Sequence, residues 1–139
     1  MKRLFFLFTA ILLFTFLGSC SLNNDADPNF SFQAFEVVRV NLPDSFRLNE
    51  TYEIEVSYLK TENCSSFQTF EVLKTERTTR EVVVFGTVRT DLECTENIVE
   101  ETETFNFVVL YEEPYVFRFW QGENSNGEAQ FLEIQVPVN

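Results

Sequence analysis

The sequence predicts an all-β fold, a sandwich of about seven antiparallel strands, on three observations. Apolar residues recur with period two and never with a sustained helical stripe. Val, Thr, Phe and Tyr, which suit a pleated surface, fill the apolar runs. Turn-forming residues divide those runs about every ten to fifteen positions.

The first run covers residues 35–41, where Phe35, Val37, Arg39 and Asn41 share one parity and Val38 and Val40 the other. Pro43-Asp44-Ser45 ends it. The second is the cleanest: Tyr52, Ile54, Val56 and Tyr58 alternate with Glu53, Glu55 and Ser57, the pattern of a half-buried strand. Residues 67–73 form the third, and Arg77-Thr78-Thr79 is a hairpin tip. The unbroken run 82–85 predicts a strand covered on both faces. Phe105, Phe107 and Val109 alternate with Thr104 and Asn106 in the fifth. After Glu112-Glu113-Pro114 comes the sixth, 115–121. Asn126-Gly127, a strong turn dipeptide, separates it from Leu132, Ile134 and Val136 in the seventh.

Pro114-Tyr115-Val116-Phe117 opens the sixth run in the way that resembles an immunoglobulin-like sandwich. The resemblance implies a tyrosine corner, with the Tyr115 hydroxyl bonded to upstream backbone and Phe117 in the core. An ordinary strand tyrosine is the alternative. Strands that alternate in direction bring the loops after the second, fourth and sixth runs to one end. Those loops hold Cys64, Cys94 and residues 122–127.

The first twenty residues carry a different signal. Lys2 and Arg3 precede fourteen residues, 4–17, that are apolar except for Thr9 and Thr15. That run is shorter than the roughly 20 residues a membrane span needs and suits a secretory leader. It ends Leu17-Gly18-Ser19-Cys20. This ending resembles the lipobox of bacterial lipoproteins, which the peptidase cuts just before the cysteine. The resemblance implies a signal peptide over 1–19, diacylglycerol on the Cys20 sulfur and a fatty acid (palmitate or similar) on the new N-terminus. Ser21, where Asp would favour inner-membrane retention, points to the outer membrane. Residues 20–33 then read as the lipidated cysteine and a flexible tether, and 34–139 as one domain.

The chain after the leader holds 8 basic and 22 acidic residues, a net charge of −14. Such a surface repels nucleic acid and anionic lipid, so neither is expected as a ligand. With Cys20 acylated, Cys64 and Cys94 remain, and an even pair in an oxidising compartment predicts one disulfide. No Cys-x-x-Cys spacing and no histidine offer a zinc or redox centre, and no cofactor is expected. Histidine is absent and no nucleophile or phosphate-loop motif is present, so the domain is not expected to be an enzyme. Glu93, Glu96, Glu123, Asn124, Asn126 and Glu128 are the residues a calcium ion would draw on. No Asp-x-Asp-x-Asp pattern fixes their geometry.

The candidate binding surface is Trp120 with Arg118. If Tyr115, Phe117 and Phe119 face the core, these two lie on the outer face, where an indole can stack on a sugar or anchor a protein. Packing of Trp120 over its own sheet is the alternative. The functional expectation is a lipid-anchored envelope protein: a non-catalytic binding or accessory module for protein or glycan. A structural part of an envelope assembly, or a protease inhibitor, are the other readings.

Overall fold

Period-two alternation gives strands throughout the part of the chain that the computed structural model describes, residues 29–139. The leader, Cys20 and residues 21–28 lie outside the described residues. Among the described residues there are eight strands: β1 (Phe30–Phe35), β2 (Val37–Asn41), β3 (Thr51–Glu62), β4 (Ser65–Lys74), β5 (Thr79–Arg89), β6 (Glu96–Val108), β7 (Tyr115–Glu123) and β8 (Ala129–Val136). They form two packed sheets, one of β2-β3-β6 and one of β1, β4, β5, β7 and β8.

The expected first strand is in fact two. It breaks at Glu36, so β1 pairs with β5 in the larger sheet while β2 crosses to pair with β3 in the smaller. Phe35 and Val37 are both buried, each in a different sheet. A bulge between Val37 and Arg39 then turns Val40 rather than Arg39 to the core, which is why the parity is mixed in the sequence. Strand β1 also takes in Phe30 to Gln33, four residues that the sequence reading gives to the tether.

The sheets are antiparallel with one departure. One side of β5 carries β4; the other is shared end to end by β1, along Val84 to Arg89, and by β7, along Thr79 to Val82. The β7 contact is parallel. Strands β5 and β7 therefore point the same way, which sends the turn after β7 towards the end of the sandwich that holds the turn after β5. The β5 run alternates full and half burial: Val82 and Val84 are buried, Val83 and Phe85 half-buried.

The core lies between the sheets. Tyr58, Tyr115, Phe35, Phe46, Phe117 and Phe119 are its largest fully buried side chains. The Phe35 ring stacks on Tyr58 and lies over Gly86, where a methyl group would come within 2.1 Å of it. Glycine is required there because the ring occupies the space of a side chain. In β4 a bulge between Phe67 and Thr69 turns both Phe67 and Phe70 inward, so a spacing of three still serves one face. Phe46 comes from the loop between β2 and β3. It is held by the chain's last residues, its N–H donating to Pro137 O and its carbonyl accepting from Asn139 N–H. Arg80 is the buried cation. It shares the inward parity of Val82, donates to the Glu76, Arg77 and Thr79 carbonyls, and stacks near Tyr115 and Phe107.

The tyrosine corner is present. The Tyr115 hydroxyl accepts from the backbone N–H of Leu110 at 3.0 Å and of Tyr111 at 3.1 Å, and Tyr115 and Phe117 are fully buried. Tyr115→Phe keeps the ring and removes the acceptor of both amides. The expected loss is about 1–2 kcal/mol in chemical denaturation. A variant as stable as the parent would show the corner to be incidental.

Strand β6 is the outer strand of the smaller sheet. Its Glu101 and Glu103 stand opposite Tyr58 and Val56, on the core-facing side of the edge. Glu101 accepts from Lys60 at 2.7 Å and from the Tyr58 hydroxyl at 3.3 Å. Burial holds the Tyr58 phenol well above its ordinary range, and the Glu101 and Glu103 charges raise it further. The folded state thus favours the neutral phenol. That contribution is whole below the ordinary phenol range near about 10 and is lost as pH climbs past it. Melting temperature should fall more steeply above about pH 10 in the parent than in Tyr58→Phe. Parallel profiles would dismiss the coupling.

Candidate functional site

The two sheets present different outer faces. On the smaller one Arg39 spans to Glu100 at 2.7 Å, and Ser57 bonds Thr102 at 2.8 Å, so polar groups satisfy one another. On the larger one the register places Phe30, Phe32 and Ala34 of β1 beside Arg89, Thr87 and Phe85 of β5. Trp120 and Phe131 are direct partners across β7 and β8. Tyr115, Phe117 and Phe119 are buried while Val116, Arg118 and Trp120 are half-buried, which puts Trp120 and Arg118 on the outer face.

Their situations differ. Arg118 is already engaged: it bonds Glu81 at 3.0 Å, lies 3.8 Å from Glu133 and stacks 4.2 Å from the Phe131 ring centroid. A guanidinium so held is a brace across β5, β7 and β8. Trp120 lines a cleft of about 190 Å³ with Gln33, Phe35, Glu36, Leu59 and Thr61. The cleft opens where β1 and β7 meet end to end on β5 and part, β1 turning into β2 and β7 continuing with β8 alone.

Two details fix its walls. Gly122 has φ +96°, and a methyl group on it would lie 2.6 Å from Glu36 Oε1, so the glycine lets the carboxylate lie against β7. Gln121 donates from Nε2 to Val37 O at 3.1 Å, tying β7 to the start of β2. The polar side chains of the cleft are open to water: Glu36 and Thr61 are exposed, Gln33 and Trp120 half-buried, and among the described residues no buried side-chain polar atom lacks a partner.

Comparisons with protein-family models, with curated proteins and with solved structures return no match to this chain.

The disulfide end is ordered by backbone. Cys64 and Cys94 are bonded, with Cα atoms 5.6 Å apart. Asn63 N–H donates to Thr95 O, and Thr95 N–H to Asn63 Oδ1, beside the bridge. The six oxygen-bearing residues weighed for calcium do not converge among the described residues. Asn124 instead closes its own turn, with Oδ1 accepting from the Asn126 and Glu128 N–H groups and Nδ2 donating to Glu128 Oε2. Glu62 does approach Cys64 and Cys94, but sulfurs joined to each other offer no thiolate.

A larger depression at the opposite end, about 480 Å³, is lined by Leu48, Arg77, Leu110, Tyr111, Glu112 and Glu113. Two of its three charges pair with each other, and Glu112 stands exposed beside them. Arg77 lies 3.4 Å from Glu113 and over the Tyr111 ring, and Lys74 donates to the Tyr111 hydroxyl at 3.0 Å. That bond and the Lys74 charge lower the Tyr111 phenol below its ordinary range. Size favours this depression; the Trp120 cleft sets an indole beside an amide, a carboxylate and a hydroxyl, the mixture of apolar surface and polar groups on which recognition rests.

Sequence reasoning found Trp120 and missed its companions. Gln33 falls in the tether of the sequence reading, Glu36 inside the 35–41 run, and Leu59 and Thr61 beyond the 52–58 run. The mixed parity of 35–41 signals the bulge in β2, and nothing local signals the change of sheet.

Proposed function

We propose that the chain is a lipoprotein of the bacterial outer membrane, held by acylated Cys20, whose β-domain is a non-catalytic binding or accessory module. The observation that carries the reading is the order of Lys2-Arg3, the apolar run 4–17 and Leu17-Gly18-Ser19-Cys20. Several acyl chains on one residue make release slow, at about 0.8 kcal/mol per buried CH₂. Strand β1 begins at Phe30, so a short polar stretch, 21–29, separates the domain from the lipid.

A binding role without catalysis is supported by the chain's lack of histidine and by a cleft in which an amide, a carboxylate and a hydroxyl lie beside an indole. We read the sandwich as immunoglobulin-like. The Tyr115 corner and the β2-β3-β6 sheet support this, and the parallel β5–β7 contact is a departure from the fully antiparallel form.

Growth with a tritiated fatty acid tests the anchor. Label should enter the parent protein, be lost in Cys20→Ala, and the variant should leave the membrane fraction. Label that persists in the variant, or never enters the parent, overturns the reading.

A further inference from the structure

We infer that the Trp120 cleft receives a single neutral sugar ring of a glycan. This rests on the reading of the domain as a binding module and names what it binds.

Size is the first argument. At about 190 Å³ the cleft falls below the roughly 300–1,000 Å³ of sites for drug-sized ligands, so it takes one ring and not a folded surface. Chemistry is the second. A pyranose presents an apolar face of C–H bonds and a rim of hydroxyls. The cleft presents an indole for the face, and the Gln33 amide, Glu36 carboxylate and Thr61 hydroxyl for the rim. A hydroxyl both donates and accepts, so it can satisfy an amide, a carboxylate and an indole N–H at once. Those groups are open to water, Glu36 and Thr61 exposed and Gln33 and Trp120 half-buried, so the hydroxyls of a sugar can reach them. A peptide side chain would satisfy fewer of them.

Charge is the third. Glu36 stands in the cleft and, among the described residues, no lysine or arginine lines it. Arg118, two positions before Trp120, is committed to Glu81, Glu133 and Phe131, and Lys60 to Glu101. An anionic sugar would meet a carboxylate without a compensating cation, so neutral hexoses and N-acetylhexosamines are selected over uronic acids. Trp120 lies at one end of an outer face that continues through Phe85 to Phe32 and Phe30, which gives a longer chain room to extend.

Trp120 is the chain's single tryptophan, so its emission reports this cleft alone. The full chain, purified in a detergent without a sugar headgroup, is titrated with cellobiose, maltose, N,N′-diacetylchitobiose and glucuronic acid. At least one neutral disaccharide should change the emission saturably, and glucuronic acid should not. Glu36→Gln and Gln33→Ala should each weaken that disaccharide by about five- to tenfold. Trp120→Ala, followed by saturation-transfer NMR, should abolish binding while its melting curve stays cooperative. No saturable response to any sugar overturns the inference, as do variants that bind like the parent. So does a photo-crosslinking side chain at Leu59 that captures an envelope protein in cells where no sugar responds. If the sugars fail while the fatty-acid label depends on Cys20, the cleft assignment falls and the lipoprotein reading stands.

Discussion

Replacing Phe46 by alanine should destabilise the domain by about 3–5 kcal/mol, the range for emptying a fully buried aromatic site. The residue is wholly inaccessible and its ring packs within 6.0 Å of four others, Tyr52, Phe107, Tyr115 and Phe117. Collapse around the void is hindered because the Phe46 backbone is pinned on both sides by the C-terminal residues. The stability of a domain this size is only about 5–15 kcal/mol, so the variant should lose a large share of it. Urea unfolding should show a midpoint lower by about 2 M with an unchanged slope. Leu48→Ala, two residues on and partly exposed, should shift by no more than about 0.5 kcal/mol. Equal effects at both positions would mean that Phe46 is not a core residue.

Removing the bridge is the second large effect. Cys64 and Cys94 are separated by 30 positions, and closing such a loop restricts the unfolded chain by about 3.5 kcal/mol in the loop-entropy model. The folded state has other ties at the same place: the Asn63–Thr95 bonds and the bond from Arg89 N–H to Cys64 O. Cys64→Ser with Cys94→Ser should therefore fold and melt at a lower temperature. Reductant should bring the parent down to the variant and leave the variant unmoved. A parent whose unfolding ignores reductant would show that the bridge contributes nothing in solution.

The parts of the fold legible in the sequence are those where one physical pressure acts alone. Strand β3 was clear because Tyr52 to Tyr58 has one buried and one exposed face. The pairing of the two cysteines followed from their number. The Tyr115 corner was implied only by the resemblance that Pro114-Tyr115-Val116-Phe117 carries, with an ordinary strand tyrosine as the alternative, and its hydroxyl does bond the backbone of Leu110 and Tyr111.

What stayed hidden depends on two pressures meeting. Phe46 follows Pro43-Asp44-Ser45 in a turn-rich stretch, and nothing local says that a loop side chain plugs the core. Glu36 breaks a run that looks continuous, because a strand changing sheets buries residues of one parity on either side of the break. Arg80 reads as part of a charged hairpin tip, yet three carbonyls and two rings replace water around it. The parallel contact of β5 with β7 is set by β1 ending at Phe35, a long-range fact with no signature in either strand. The cleft inherits this opacity, since it exists only because those strands part.

The glutamates of β6 have one more implication. On the Cys20 anchor proposed above, copies confined to a surface would meet each other far more often than free ones, and always with the same side up. A bare outer strand of thirteen residues is then a template on which a neighbour can add its own strand, and so on without end. Glu96, Glu100, Glu101 and Glu103 load that strand with negative charge, and the inward set of Glu101 and Glu103 leaves no flat ribbon for a twin to join. Crowded copies would repel edge to edge and stay separate.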